Sequence, residues 1–451
     1  MDTVVLARMF FGSSLAFHII FATLAIGLSL MIFIFEILYQ VKKDNNYAIM
    51  AKRLTKGFAI LLGVAIPTGT IVGVQLSLLW PGFAEIVGQV IAVPFQIEIF
   101  AFFLEALFMS IYVYAADKLP RYLRLISLFF VMFGATASAV LITSANTWMN
   151  TPAGFSVADD GTIYNVDPWR AFFNPSFFVS SWHVVITAFA TGACVVAALA
   201  GFKLLRRKAK HQEFGYYRKG LYVSLVVAAI TGTLMMFSGH SSAVMLHEHS
   251  PEKLAAAEGL IATQANAGLT IGGFVNPDTL EMEYGLEVPG ALSILAGGTF
   301  DTVVKGLEEF PRETWPPFYT HVLFNLMVGL GSLMFGIVLF ALFMWWLYKR
   351  KQSVQLPKWL LWLVVSLGPV SILAIEFGWI FSCSGRQPWT IYGVQRVTNA
   401  ATRADYVGEL YFLFVILYIV LAILTVVVLI SYFKRHPLAK ELETYGGKNH
   451  V

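Results

Sequence analysis

Three potential iron ligands, His18, His183 and Met327, lie within long apolar segments of the chain. Polar side chains are costly in hydrocarbon, so those found there usually have a function. His183 lies about six residues and Met327 about eight residues inside its segment, which places both roughly 9–12 Å below the segment ends. An imidazole and a thioether at one depth form an axial ligand set for low-spin haem. The pair therefore predicts a haem site, although a single methionine would be explained by packing.

The other histidines give less information. For His18, ligation of a metal and a hydrogen bond between helices are equally compatible with the sequence. His321 lies close to the end of its apolar segment, and we expect it to be solvated, as are the histidines of loops and tails.

Two carboxylates, Glu98 and Glu105, lie in another apolar segment, seven residues apart. On a helix this spacing places both on one face, about 10.5 Å apart. A carboxylate in hydrocarbon must be protonated, paired or bound to a metal. Aligned acids of this kind favour a proton relay over two separate hydrogen bonds to neighbouring helices.

A further group of chemically active residues lies at the end of the eighth apolar segment and includes Glu376, Trp379, Cys383 and Arg386. The guanidinium of Arg386 lies at the expected membrane boundary, where its planar fork could bind carboxylates such as haem propionates. Arg and Trp are also ordinary anchors at membrane interfaces, so this segment alone is weak evidence.

The composition indicates that the candidate residues lie on membrane-spanning helices. The 451-residue chain is 57% hydrophobic and 13% charged, with a mean hydropathy of +0.70, which excludes a soluble globular domain. Segments of about 20 apolar residues can span the hydrocarbon core. Nine such segments are expected, at roughly 11–39, 56–79, 94–116, 122–145, 177–202, 220–238, 319–348, 358–381 and 408–433.

The nine segments predict an all-α, polytopic fold with a single membrane domain that covers residues 1–451. The basic residues predict its orientation in the membrane. Most Lys and Arg residues follow the odd-numbered segments, and basic loops stay in the cytoplasm, so the N-terminus is expected outside and the C-terminus inside. Arg8 is one of the few basic residues on the outer side. The net charge of +4 reports this topology and gives no argument for nucleic acid.

A long outer loop is expected between the sixth and seventh segments, at residues 239–318. Loops of this length are usually functional or disordered. Within it, residues 251–262 begin with Pro and continue with strong helix formers, which predicts a short helix. Lys253 and Glu258 lie about 140° apart around its axis, so both can flank one pocket.

Taken together, these residues resemble subunit I of a cytochrome bd-type quinol oxidase. The resemblance covers nearly the whole chain and includes the nine helices, the outer N-terminus and the long loop after the sixth helix. The matching motifs are Gly378-Trp379, Gly385-Arg386-Gln387-Pro388-Trp389, Gln96-Ile97-Glu98, Phe102-Phe103-Leu104-Glu105, Lys253-Leu254-Ala255-Ala256-Ala257-Glu258 and Leu326-Met327-Val328-Gly329-Leu330-Gly331.

This resemblance implies a role for each candidate residue. His183 and Met327 would ligate the low-spin haem b, and His18 a haem of the high-spin pair that reduces oxygen. Glu98 and Glu105 would deliver protons, and Lys253 and Glu258 would serve quinol oxidation in a short-type quinol loop. The cofactor-binding set also contains Arg8, Trp379 and Arg386.

The family resemblance further implies a bacterial plasma membrane location, a second subunit in a membrane heterodimer and a small single-helix subunit. Two positions depart from the family pattern. Cys383 replaces the usual Glu of the high-spin haem site, which puts haem d in doubt and makes a bb-type variant plausible. Asn325 replaces the usual basic residue two positions before the axial methionine.

Two other function classes remain open from the residues alone. One is an ion-coupled transporter, against which no paired broken helices or inverted repeat are evident. The other is a quinone-linked b-type cytochrome that passes electrons to a partner and does not react with oxygen.

Overall fold

The computed structural model describes residues 2–115, 118–206, 211–350 and 356–446. Within these ranges, nine helices are long and apolar enough to cross a membrane. The expectation of a mostly helical, multi-pass membrane fold is therefore confirmed. The fifteen α-helices are α1 (Thr3–Lys42), α2 (Asn45–Leu79), α3 (Pro81–Val90), α4 (Ala92–Ala115), α5 (Arg121–Asn150), α6 (Pro168–Phe172), α7 (Phe177–Leu205), α8 (His211–His249), α9 (Pro251–Glu258), α10 (Ala291–Gly297), α11 (Tyr319–Arg350), α12 (Lys358–Ser384), α13 (Val397–Ala400), α14 (Val407–Arg435) and α15 (Leu438–Gly446).

The strands of the described residues are short and lie in the connections between the long helices, including the long loop before α11. Four two-stranded antiparallel sheets are formed by β1 (Ser156–Val157) with β2 (Ile163–Tyr164), β3 (Leu269–Ile271) with β6 (Leu286–Val288), β4 (Phe274–Val275) with β5 (Met282–Glu283), and β7 (Trp389–Ile391) with β8 (Gln395–Arg396). Two 3-10 turns, Leu307–Glu309 and Arg312–Thr314, precede α11.

Several helices are longer than expected: α1 begins at Thr3 and not at residue 11, and α2 begins at Asn45 and not at residue 56. The helix α8 was expected to end at residue 238 and continues to His249. The long loop therefore begins at Ser250, and the expected start at 239 is wrong. The sequence becomes less hydrophobic after residue 238, but the helix continues to His249. It ends before Pro251, because proline has no backbone N–H group to donate to the helical hydrogen bonds. The third segment was expected to end at Ala116, which lies outside the described residues.

The short helix expected at 251–262 is present as α9, and it ends at Glu258 because Gly259 follows it with φ +67°. Glycine adopts this left-handed conformation without a steric penalty and is a common helix terminator. The loop then turns away from the helix axis directly after Glu258.

Close packing of two central helices depends on glycine. A Cβ atom placed on Gly27 of α1 would lie only 2.6 Å from the Cα atom of Gly192 in α7. Lipid tails are as apolar as leucine side chains, so membrane helices associate through such close backbone contact. This crossing positions α7, with His183, beside α1, with His18.

The two ends of the bundle differ. At one end, the start of α1 packs against α3 and the segment that follows α12. At the other end, α15 packs against α2 and α8, where Arg53 pairs with Glu441 at 2.9 Å. The candidate haem, quinol and oxygen-site residues are nearer the first end.

We expect Gly192→Ala to destabilise the protein by about 1–3 kcal/mol, because the added methyl group has to enter the space of the Gly27 backbone. Gly63→Ala is the matched control, since a Cβ atom there meets nothing within 4 Å. Thermal unfolding of the purified protein in detergent measures the difference. Equal melting temperatures for the two variants would contradict this account of the α1–α7 crossing.

Candidate functional site

His183 is held by a neighbouring helix through one ring nitrogen. Its Nδ1 atom lies 2.9 Å from the hydroxyl oxygen of Ser238 in α8, and that hydroxyl also donates to the carbonyl of Met235. Nε2 makes no hydrogen bond to any described residue. A histidine that ligates a metal usually has its second nitrogen fixed in this way, so the arrangement fits a ligand.

Met327 lies on α11 and packs against α12 at Gly378. A Cβ atom on Gly378 would lie 3.0 Å from the Met327 sulfur, so glycine provides the room for the thioether. One turn further along α11, a Cβ on Gly331 would be 3.8 Å from the Met235 side chain of α8. Because Met235 and Ser238 belong to the same turn of α8, the structure brings His183 and Met327 to the same region between α7, α8, α11 and α12.

His18 faces α2. Its Nδ1 atom lies 3.1 Å from the Thr68 hydroxyl oxygen, and its ring packs on Gly69, where a Cβ would approach Cε1 to 2.9 Å. The hydrogen bond between helices is therefore present. It leaves Nε2 without a hydrogen bond to the described residues, so both alternatives from the sequence remain compatible with the geometry.

A cavity of about 470 Å³ lies between α1, α2, α3 and α12. Its lining includes five side chains that could bind or react with a ligand, namely Arg8, Glu376, Trp379, Cys383 and Arg386. The rest of the wall is mostly apolar. His18 is absent from the lining, but its neighbours Leu15 and Ile19 form part of it.

Arg386 is buried at the wall of this cavity, with 7% of its surface exposed. Its Nε atom donates to the carbonyl of Trp389 at 3.3 Å, and Nη1 has no partner among the described residues. Burial lowers the pKa of Arg386, and the nearby Cys383 opposes this shift. An unsatisfied guanidinium nitrogen is costly, so this position suits a bound carboxylate.

The two membrane carboxylates are placed on one face of α4, as expected. Glu98 accepts a hydrogen bond from Ser138 at 3.0 Å. Glu105 is 3% exposed, and its Oε1 atom has no partner among the described residues. Gly134 of α5 permits its close approach, because a Cβ there would lie 3.0 Å from the Glu105 Cβ.

The same helix face continues to Tyr112, which we did not single out from the sequence. Tyr112 lies seven residues beyond Glu105, and its hydroxyl donates to Glu36 of α1 at 3.0 Å. Glu36 is 2% exposed and lies 3.5 Å from the Nε of Arg124. Its spacing of seven from Glu105 was the signal that could have identified Tyr112.

Lys253 is buried on α9 against the end of α12. Its ammonium donates to the Asn150 side chain at 2.9 Å and to the Ser382 carbonyl at 3.0 Å, and it lies 5.1 Å from the ring of Phe381. Burial lowers the pKa of Lys253 to about 7, with a further contribution from the charge of Arg386.

Glu258 is 2% exposed, and neither carboxyl oxygen has a hydrogen-bond partner among the described residues. Burial raises its pKa to about 8, which the nearby backbone of Thr270 opposes. Lys253 and Glu258 thus lie on one short helix, each with a pKa shifted by burial toward neutrality.

One residue near Lys253 was missed, one residue of the cavity wall had no assigned role, and one expectation was wrong. Glu252 accepts hydrogen bonds from Thr314 at 2.7 Å and Tyr392 at 3.0 Å, and Glu376 has a buried oxygen without a partner among the described residues. His321 was expected to be solvated, but it is 0% exposed. The prediction relied on its position near the end of an apolar segment. It was wrong because the folded loop covers that end of the helix.

We expect Glu258→Gln to stabilise the protein relative to the parent only at high pH. A carboxyl ionises near 4.5 in the unfolded chain but near 8 here, so the folded parent loses stability as pH rises between these values. The melting-temperature difference between variant and parent should grow from pH 5 to pH 8.5. Glu281→Gln, at an exposed position, should show no such trend. A constant difference for Glu258→Gln would contradict the shift.

Known proteins are similar to this chain over almost its whole length. The family model of cytochrome bd terminal oxidase subunit I matches residues 6–437. The Bacillus subtilis (strain 168) protein named "Putative cytochrome bd menaquinol oxidase subunit I" is 51% identical, over 98% of this chain and 99% of its own. Cytochrome bd ubiquinol oxidase subunit 1 of the same organism is 33% identical, over 96% of this chain and 94% of its own.

A solved structure is also similar. The structure of bd oxidase from Geobacillus thermodenitrificans matches with a TM-score of 0.89 and 38% identity, and the match covers 97% of this chain and 99% of that one. The transporter alternative is therefore not supported. The chain belongs to the cytochrome bd terminal oxidase subunit I family, quinol-oxidising multi-pass proteins of the bacterial plasma membrane.

Proposed function

We propose that this chain is the haem-carrying subunit of a quinol:oxygen oxidoreductase that oxidises quinol at the outer face and reduces oxygen to water with cytoplasmic protons. The observation that carries the proposal is the placement of His183 and Met327 in one region, with the free Nε2 of His183 directed by Ser238. The outer position of the N-terminus and the inner position of the C-terminus rest on the distribution of basic residues.

The residues fit haem. His183 and Met327 would hold a low-spin haem b, and His18 would hold one haem of the high-spin pair. Arg8, Trp379 and Arg386 line the cavity and would surround the propionate groups of a haem bound there. The Nη1 atom of Arg386, which has no partner among the described residues, suits a propionate oxygen. When bound, the haems would supply electron transfer and oxygen binding, which no amino-acid side chain here provides.

Lys253 and Glu258 would take the protons released by quinol at residues 250–318. Quinol oxidation releases two protons with two electrons, so the site needs groups that exchange protons near neutral pH. The pKa values of Lys253 and Glu258, about 7 and about 8, meet this need. Asn150 and the Ser382 carbonyl fix the position of the Lys253 ammonium.

Protons for oxygen reduction would pass along α4. From the inner end, the order is Glu36, Tyr112, Glu105 and Glu98, each successive pair on α4 being about 10.5 Å apart along the axis. Ser138 holds Glu98 at the last step. Water molecules would be needed to bridge these distances. Proton uptake inside and release outside separate charge without pumping.

Two finer features belong to this proposal. Cys383 lines the cavity where the family usually has Glu, which favours a bb-type variant without haem d. Exposed apolar faces on α4 and α14, which include Phe100, Phe103 and Ile416, suit a second subunit, a small single-helix subunit or lipid. A b-type cytochrome that does not react with oxygen remains the alternative.

We expect Met327→Ala to abolish the low-spin haem b signal in the reduced-minus-oxidised spectrum, because the thioether is an axial ligand. Pyridine haemochrome analysis should show a matching loss of haem b. Met334→Ala is the control, since Met334 is buried two turns further along α11. An unchanged low-spin signal in Met327→Ala would sink the ligand assignment.

A long-wavelength chlorin band in the parent would establish haem d despite Cys383.

Glu105→Gln should slow oxygen consumption about 100-fold, since removal of a proton-transfer group typically costs this much. Reduction of the low-spin haem by quinol should remain normal. Glu85→Gln, at an exposed position of α3, should leave turnover unchanged. Rapid-mixing spectroscopy separates the two steps. Full turnover in Glu105→Gln would show that protons use another route.

A further inference from the structure

His321 lies in the first turn of α11 and is completely buried between α9 and the loop. Both of its ring nitrogens face backbone carbonyl oxygens. Nδ1 lies 2.8 Å from the oxygen of Ala257, and Nε2 lies 2.9 Å from the oxygen of Gly272. The ring therefore joins the last turn of α9 to the turn after β3.

These two contacts place the ring between two backbone segments. A carbonyl oxygen only accepts hydrogen bonds, so a ring nitrogen that carries a proton donates to it. The amide nitrogen of Asn325 lies 3.4 Å from Nδ1 and 3.3 Å from Nε2, where it can donate to a ring nitrogen that carries no proton. The ring and the Asn325 amide thus link the two segments.

Asn325, one turn further along α11, supports the same arrangement. Its side-chain oxygen accepts from the Gly272 N–H at 2.8 Å, and its amide nitrogen donates to the His321 carbonyl at 3.2 Å. The turn at Gly272, which has φ +71°, is thus held through both its N–H and its carbonyl.

The held segments enclose Glu258. Ala257, whose carbonyl binds the ring, directly precedes it, and Gly259, which follows it, has a Cβ position 3.4 Å from Nδ1 of His321. On the other side, Thr270 faces the Glu258 carboxyl and lies two residues before Gly272. His321 thus fixes both segments that surround Glu258 without hydrogen-bonding to its carboxyl.

We propose that His321 is a positioning residue that links the backbone at Ala257 to the backbone at Gly272 and so fixes Glu258 in the quinol site. We call this link the clamp. The identity of the ligand rests on the proposed function, whereas the clamp itself does not.

Hydrogen exchange of the purified complex tests the clamp independently of activity. In His321→Gln, a flexible side chain with one amide replaces the ring that faces both carbonyl oxygens, so backbone amides of residues 250–275 should exchange about fivefold faster, the effect of losing one hydrogen bond between neutral groups. His249→Gln is the control, because the His249 side chain is 42% exposed at the end of α8. Unchanged exchange in His321→Gln would overturn the proposal.

Kinetics with a reduced short-chain menaquinone test whether His321 acts through Glu258. We expect His321→Gln to raise KM about tenfold or more, with a smaller change in kcat. In the Glu258→Gln background the same substitution should add little, since residues that act as a unit are not additive. Additive effects in the double variant would refute action through Glu258.

If Glu258→Gln alone leaves KM unchanged while exchange responds to His321→Gln, the proposed quinol site fails and the clamp stands.

Discussion

Burial of ionisable groups away from water is the constraint on which this structure depends. Lys253 keeps its ammonium among two oxygen acceptors and an aromatic ring, and Arg386 leaves one nitrogen without a partner among the described residues. Glu258 has no hydrogen bond there at all. Each group is costly where it is. Such a cost is expected where a substrate, proton or cofactor completes the site.

The candidate residues lie at two levels of the bundle. At one level, Lys253 of α9 binds Asn150 at the end of α5 and the Ser382 carbonyl near the end of α12. The acids of α4 lead in the other direction, toward Tyr112 and Glu36. The Gly27–Gly192 contact packs α1, which carries Glu36, closely against α7.

The fold shows what Cys383 and Asn325, the two positions that depart from the family pattern, contact in this chain. Cys383 lies in the cavity wall together with Glu376, two helical turns away on α12. Asn325, which stands where a basic residue is usual, contacts the buried His321.

The sequence by itself determined the membrane class, the nine apolar segments and the spacing of groups along single helices, such as Glu98 and Glu105. These properties depend on local periodicity and on the cost of polar groups in hydrocarbon, and both can be read from the order of residues. Family-specific motifs such as Gly385 to Trp389 added the function, which spacing alone could not give.

Only the tertiary structure decided which groups meet. The hydrogen bond of His183 to Ser238, the burial of His321 under the loop and the link between Tyr112 and Glu36 join residues that are 55, 49–64 and 76 positions apart. Such contacts depend on how the helices pack and where the loop folds back. Hydropathy contains no information about either. For this reason, the prediction from hydropathy ended α8 eleven residues too early and made His321 solvent-exposed.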